Sequence, residues 1–173
     1  MMSRLTQKVI GAAAIALIFA FAAAPAQAAT TSAAVNANVI KPLILGWRQD
    51  FDLGTVVLVG TGTWSGATVG ISRSGVFTCT DPRLSCSGAT FTGRYNVSGT
   101  NNTQVTISAS NVLLTNTSDP TQTLTLVVDN PGSVVLTNSG PPGTDFNLGG
   151  SITLGSSNAG GTYTGQFNVT VNY

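Results

Sequence analysis

The C-terminal stretch GGTYTGQFNVTVNY, residues 160–173, decides the fold class, because apolar or small residues alternate there with polar ones. Successive side chains of a strand point to opposite faces, so the stretch predicts one apolar and one polar face. The apolar face consists of Tyr163, Gly165, Phe167, Val169, Val171 and Tyr173. A strand with one apolar face is buried on that face against a sheet. We therefore expect a terminal β-strand that runs to the last residue.

Strand signals of the same kind recur through residues 41–173. Short apolar runs are separated by turn-forming segments, among them 98–102, 129–132 and 138–143. Helical signals are absent after residue 28, because Glu is missing from the chain and Gly and Thr interrupt every window. Roughly nine to eleven short strands at this spacing predict an all-β protein with an antiparallel β-sandwich.

Residues 1–28 have the pattern of a secretory signal peptide. Arg4 and Lys8 form a basic start, residues 9–24 an apolar run, and Ala26-Gln27-Ala28 supplies small residues at the recognition positions. A membrane anchor is the alternative, but the apolar run is short and rich in alanine. We expect cleavage after Ala28 and export of the remainder.

The charge of the exported part argues against a nucleic-acid partner. Without Arg4 and Lys8, five basic residues face six aspartates, so no basic patch is expected. No second segment is long and apolar enough to predict a membrane span after signal removal. Ser, Thr, Asn and Gly supply the polarity, as in many extracellular β-proteins.

The two cysteines, Cys79 and Cys86, flank a short segment that contains Asp81-Pro82. In an exported protein an isolated pair at this spacing predicts a disulfide across a turn. A redox or metal pair is the alternative, but the chain has no His and no CxxC spacing.

Residues 29–40 precede the first strong apolar cluster and are uncharged. Ala33, Val35, Ala37 and Val39 alternate with small or polar partners until Pro42 forces a break. The segment is either an edge strand of its own sandwich or a donor strand that completes the sheet of a neighbouring subunit. Both structures require alternation, so the pattern does not distinguish them.

The residues of the sequence give little support to an enzymatic function. With no His and no Glu, neither a Ser-His-acid triad nor the usual zinc ligand sets can form, and we predict no cofactor and no metal site. Asp50 and Asp52 could form a carboxylate pair on one face of a strand. The favoured interpretation is that they hydrogen-bond the turn before Gly54.

The aromatic residues Trp47, Trp64, Tyr95 and Tyr163 could form a platform on which a sugar stacks. They are far apart in sequence, and aromatic residues in a sandwich are more often part of the core. A carbohydrate-binding role therefore remains the rival of a structural one.

Several segments resemble a family of secreted bacterial proteins known only as domain of unknown function 4402. They are DFDLGTV at 50–56, the strand at 91–99 with Phe91 and YNVSG, FNLGGSITL at 146–154, AGGTYTG at 159–165 and VTVNY at 169–173. That family is similar to spore-coat-U-like and fimbrial, or pilin-like, subunits. The resemblance implies an immunoglobulin-like antiparallel β-sandwich over residues 41–173.

The resemblance also implies a function. We expect an exported structural subunit of a bacterial surface fibre or coat, located in the periplasm, cell surface or fimbrium of a Gram-negative bacterium. Its expected partners are copies of itself or related subunits, a periplasmic chaperone and an outer-membrane usher. The alternative is a monomeric secreted module that is adhesin-like or binds glycans.

Overall fold

A computed structural model describes residues 28–173. Nearly all of the predicted signal peptide, residues 1–27, lies outside the described residues. Every strand pair in the described part is antiparallel, and that part contains no helix, which confirms the all-β prediction. Accordingly, the described residues include no helix with the length and apolarity needed to cross a membrane.

Thirteen strands follow one another between residues 44 and 172. They are β1 (Ile44–Gln49), β2 (Thr55–Leu58), β3 (Ala67–Ile71), β4 (Phe77–Thr78), β5 (Leu84–Ser87), β6 (Gly93–Ser98), β7 (Gln104–Ala109), β8 (Val112–Asn116), β9 (Thr123–Asp129), β10 (Ser133–Val135), β11 (Thr144–Leu154), β12 (Tyr163–Thr164) and β13 (Val169–Asn172).

The largest sheet is built around β11. Its strand order is β1-β6-β11-β9-β8-β12, and β3 also pairs with β11 and carries β4. The first half of β11, residues 144–148, pairs with β6, and the second half pairs with both β3 and β9. Two small sheets complete the fold, with the orders β10-β7-β13 and β2-β5.

Two hydrophobic clusters form the core. The first core cluster consists of Ala67, Val69, Leu84, Val112, Leu124, Leu126, Ile152 and Leu154. The second core cluster consists of Val97, Val105, Ile107, Leu136, Phe146 and Leu148. Strand β11 contributes to both, and Phe167 and Val128 pack against both. The β2-β5 sheet supplies Leu84 to the first cluster, and β7 supplies Val105 and Ile107 to the second.

Strand β11 is longer than the apolar pattern predicts, because it continues through Gly149 and Gly150. Both glycines stand where neighbouring chain lies too close for a side chain. A Cβ at Gly149 would meet the carbonyl oxygen of Ile71 at 2.5 Å, and one at Gly150 would meet Leu126 at 2.9 Å. The two glycines therefore allow close strand packing and do not form a turn.

The prediction of one continuous terminal strand is wrong. The stretch forms two strands, of which β12 pairs with β8 in the largest sheet and β13 pairs with β7 in the three-stranded sheet. At the crossing, a Cβ on Gly165 would meet side-chain atoms of Val112 at 2.7 Å and Leu114 at 2.8 Å. Because the chain passes so closely over β8, the strand is interrupted there and resumes in the other sheet.

The predicted alternation of inward-facing and exposed residues is present although the stretch forms two strands. The residues at 163, 167, 169 and 171 are half-buried, whereas the polar residues between them, at 164, 166, 168, 170 and 172, are all exposed. Gly165 and Tyr173 are classed as exposed in spite of their place on the predicted apolar face.

Candidate functional site

Strands β1 and β13 are edge strands of two different sheets, and contacts between the segments at their ends connect them. At one end, the Tyr173 hydroxyl donates to the carbonyl of Lys41, just before β1. At the other end, the rings of Phe51 and Phe167 meet edge to face with centroids 5.6 Å apart. The start of β1 thus lies next to the end of β13. The end of β1 lies next to the segment that precedes β13. The two strands therefore run in opposite directions along one side of the domain.

The inward face of β1 is incompletely covered. Leu45 pairs across the sheet with Val97 and Trp47 with Tyr95, so both face the second core cluster. Val97 is fully buried, yet Leu45 is 38% exposed and Trp47 is 62% exposed. Inward-facing side chains on β1 are therefore exposed to solvent, although the neighbouring strand β6 is part of the buried core.

The inward face of β13 shows the same loss. Val169 pairs with Ala109 and Val171 with Ile107, so both valines point toward the second core cluster. Ile107 is 1% exposed, whereas both valines are only half-buried. We call the row of Leu45, Trp47, Val169 and Val171 the open side of the domain. In residues 28–173 no further strand pairs with the outer edge of β1 or of β13.

Residues 29–40, the predicted assembly segment, form no strand and are exposed throughout. Val35 is 93% exposed and Val39 is 81% exposed, and Ala33 and Ala37 are exposed as well. An alternating apolar row is thus available to pair with another sheet. Whether Ala33, Val35, Ala37 and Val39 act as a donor strand stays a prediction.

Asp52 has the local role that sequence reasoning favoured, whereas Asp50 has a different one. The carboxylate of Asp52 accepts the backbone N–H of Gly54 at 2.8 Å, where Gly54 has a φ of 69°. Asp50 accepts the indole N–H of Trp47 at 3.1 Å. The two carboxylates therefore stabilise the turn after β1 and fix the Trp47 ring. In the described part of the chain, no three acidic or cysteine side chains gather as a metal site would require.

The four aromatic residues considered as a sugar platform separate into two groups. Trp47 and Tyr95 are cross-strand neighbours, and Tyr95 stacks on Phe146 with centroids 5.6 Å apart. Trp64 and Tyr163 pack against the first core cluster instead. Burial and the nearby charge of Asp50 raise the pKa of the Tyr95 hydroxyl.

The predicted disulfide is confirmed: Cys79 and Cys86 are bonded, with their Cα atoms 6.4 Å apart. Within the loop, the Asp81 carboxylate accepts two hydrogen bonds from the Arg83 guanidinium, at 2.6 and 2.8 Å. These bonds lower the pKa of Asp81 to about 2 and raise that of Arg83. The guanidinium also lies over the Trp64 ring, 4.9 Å from its centroid. Part of the segment that the sequence predicted as a turn is the strand β5, which pairs with β2.

The family model described as Domain of unknown function (DUF4402) matches residues 46–173. The chain belongs to this family. The matched range of the DUF4402 domain begins within β1 and includes β13, so Trp47, Val169 and Val171 of the open side fall in it, whereas Leu45 and residues 29–40 precede it. The comparison with curated proteins returns no match, and the comparison with solved structures returns none either.

Sequence reasoning identified one half of the open side and missed the other. The alternation of the terminal stretch pointed to Val169 and Val171. No sequence feature marks Leu45 and Trp47 as part of an open side, because the run Leu43-Ile44-Leu45 carries no sign that its strand lies at an edge.

Proposed function

We propose that this DUF4402 protein is an exported structural subunit of a bacterial surface fibre or coat, assembled by strand complementation. Residues 29–40 of one copy add a strand to the open side of the next copy. The observation that carries the proposal is the combination of an exposed alternating segment with an incompletely covered pair of edge strands. The finer architecture we propose is an immunoglobulin-like sandwich, related to those of spore-coat-U-like and fimbrial subunits.

The dimensions of donor and acceptor agree. From Ala33 to Val39 an extended chain spans about 20 Å, and β1 spans about 17 Å at the usual rise per residue. Backbone hydrogen bonds to an exposed edge give such a joint its strength, and alternate side chains set its register. Small side chains suit the task, because the acceptor face already carries the larger side chains of Leu45, Trp47, Val169 and Val171.

Export is part of the proposal. The disulfide between Cys79 and Cys86 fits an oxidising compartment such as the periplasm. An exposed apolar donor strand is also an aggregation hazard before assembly, so a periplasmic chaperone and an outer-membrane usher are the partners that such a subunit would need.

The first experiment compares the protein from Ala29 onward with a chain that lacks residues 29–40. The complete chain is expected to form oligomers, and the shortened chain to be a monomer that assembles again when the 29–40 peptide is added. Val35→Asp and Val39→Asp should block assembly and leave thermal unfolding of the monomer unchanged. If both chains are monomers of equal stability, or if both aspartate variants assemble normally, the proposal fails.

A second experiment locates the joint. One preparation carries Val35→Cys and the other Val171→Cys, and the two are mixed under mild oxidation. The native cysteines are already paired, so a crosslinked dimer reports contact between the new thiols. Val127→Cys, which is on β9 and 52% exposed, serves as the matched control for Val171→Cys. Equal crosslinking to both positions would contradict docking at the open side.

A further inference from the structure

A cleft lies on the outward face of β1, opposite the open side. Ile44 and Gly46 alternate with the inward-facing Leu45 and Trp47, so they share the outward face, and Arg48, at the β-bulge that follows Trp47, lines the same cleft. The floor of the cleft continues onto β6, where Ser98 pairs with Ile44 and Asn96 pairs with Gly46. Its location does not depend on the assembly proposed above.

The far wall of the cleft is the loop before β11. Ser139, Gly140, Pro141 and Pro142 line it, and the cleft, which is open to solvent on one side, has a volume of about 410 Å³. That volume falls within the range of small-molecule sites, about 300–1,000 Å³. Ile44 is 66% exposed here, so the cleft presents an apolar surface to a ligand.

The cleft holds two cations and no carboxylate among its lining residues. They are Lys41, whose ammonium donates to the carbonyl of Ser139 at 3.1 Å, and Arg48. In residues 28–173 each of the other cations has an aspartate within 4.0 Å: Arg73, Arg83 and Arg94 face Asp129, Asp81 and Asp145. Lys41 and Arg48 form no such ion pair. The positive charge of the domain that is not balanced locally is thus concentrated at one cleft.

An aspartate on the same face of the sheet, Asp145, already has hydrogen-bond and ion-pair partners. Asp145 pairs across the sheet with Asn96, and its carboxylate accepts the Asn96 amide at 2.5 Å. Its other oxygen lies 3.6 Å from the Arg94 guanidinium. Asp145 therefore does not neutralise Lys41 or Arg48 directly.

From this arrangement we infer that the cleft binds an anionic sugar, a saccharide unit that carries a carboxylate or a sulfate group. The acidic group contacts Lys41 and Arg48, since guanidinium and ammonium groups form strong charge-assisted hydrogen bonds to such anions. The carbon face of the sugar ring packs on Ile44 and the two prolines. Ring hydroxyls bond to Asn96 and to main-chain groups of the 139–142 loop.

The test measures binding of oligogalacturonate, of a sulfated oligosaccharide and of neutral oligogalactose to protein expressed from the full sequence. Isothermal calorimetry gives the affinities. Either or both anionic sugars are expected to bind, with an affinity that falls as NaCl is raised, and oligogalactose is expected not to bind. The two anionic probes distinguish carboxylate from sulfate as the recognised group. Failure of both anionic sugars to bind, or equal binding of the neutral one, overturns the inference.

Two variants place the binding in the cleft. Lys41→Gln combined with Arg48→Gln should lower the affinity at least about tenfold, the usual effect of losing a charged hydrogen-bond partner. Arg73→Gln combined with Arg83→Gln removes the same charge away from the cleft and should leave the affinity unchanged. Equal losses in the two double variants would show general charge attraction and overturn the assignment.

Gly46→Val tests the cleft without a change of charge. A Cβ at Gly46 would meet only the carbonyl oxygen of Asn96, at an ordinary 3.9 Å, so valine fits the strand and fills the cleft. We expect unchanged thermal unfolding and an affinity lowered at least about tenfold. Unchanged affinity in this variant, or tighter binding of an oligoglutamate peptide than of both anionic sugars, would overturn the inference.

Discussion

The two core clusters have different kinds of cover. The first core cluster lies beneath the β2-β5 sheet, which has only two short strands, yet none of its eight residues is more than 8% exposed. The second core cluster lies beneath the β10-β7-β13 sheet, which has three strands, and its six residues are at most 5% exposed, but the neighbouring side chains of Leu45 and Trp47 on β1 are exposed. The two clusters are therefore equally well buried, and they differ in the exposed apolar side chains that lie beside the second one.

Crosslinks explain part of the difference. The loop between β4 and β5 is held by the Cys79–Cys86 disulfide, by the bonds from Arg83 to Asp81 and by the contact of Arg83 with Trp64. The side formed by β1 and β13 is held at its ends, by the Tyr173 hydroxyl and by the Phe51–Phe167 contact. Between those ends the apolar side chains of the open side remain partly exposed, which is the basis of the proposed assembly.

The largest expected effect is on the free energy of unfolding, and it is tested at two residues that face each other across β7 and β13. Ile107→Ala should lower the free energy of unfolding by about 2–5 kcal/mol, because it leaves a cavity in a closed core. Val171→Ala, at the half-buried partner position, should lower it by about 1 kcal/mol or less. Urea unfolding of the monomer lacking residues 29–40 measures both. If Val171→Ala costs as much as Ile107→Ala, the side described as open is closed in solution.

Removal of the disulfide should have the next largest effect. Cys79→Ser combined with Cys86→Ser is expected to lower the free energy of unfolding by about 2–3 kcal/mol, through the entropy that the unfolded chain regains. Thermal unfolding measures the loss, and reductant added to the parent protein should reproduce it. Amide exchange should rise first in β2 and β5. An equal rise in β13 would contradict the separate support of the two sides.

A smaller loss of stability is expected when the hydroxyl of Tyr173 is removed, and removal of the Tyr163 hydroxyl serves as the matched control. Tyr173→Phe removes bonds to the Lys41 carbonyl and to the backbone N–H of Thr100, the latter 2.8 Å long. The expected loss is about 1 kcal/mol, with faster amide exchange in β13. Tyr163→Phe removes a single bond, to the Ala159 carbonyl at 2.8 Å, and should leave exchange in β13 unchanged. The same β13 exchange in both variants would show that Tyr173 does not hold the open side.

The smallest expected effect is on the stability of the folded protein at acidic pH. Because Arg83 lowers the pKa of folded Asp81 from 3.8 to about 2, the charged carboxylate stabilises the folded protein above pH 4. That contribution should disappear as the pH falls from about 4 to about 2. Asp81→Asn should make unfolding less dependent on pH over this interval, and Arg83→Gln should do the same by removal of the partner. Thermal unfolding as a function of pH checks both variants, and an unchanged dependence in Asp81→Asn would exclude this ion pair as a cause.

Several parts of the fold followed from the sequence. Alternation in residues 160–173 predicted which side chains of the terminal stretch face inward, and the burial of residues 163, 167, 169 and 171 agrees. The spacing of Cys79 and Cys86 predicted their bond, and the preference of aspartate for turns predicted the hydrogen bond from Gly54 to Asp52. Each of these features depends on neighbours close in sequence, which is why local patterns reveal them.

Other parts depend on residues distant in sequence. The division of the terminal stretch into β12 and β13 follows from close approach to Val112 and Leu114, and the continuity of β11 follows from glycines packed against β3 and β9. Likewise, β1 is an edge strand because no other segment of the described chain pairs with its outer edge. The residues of β1 themselves do not indicate this edge position.

The sequence by itself thus determined the strand content, the inward faces, the disulfide and the local turns, because periodicity and turn chemistry act over a few residues. Tertiary structure alone decided which strands form edges, that β1 and β13 meet, and that Lys41 and Arg48 share a cleft free of carboxylates. Those outcomes depend on strand order, which arises from contacts between residues as far apart as Lys41 and Tyr173.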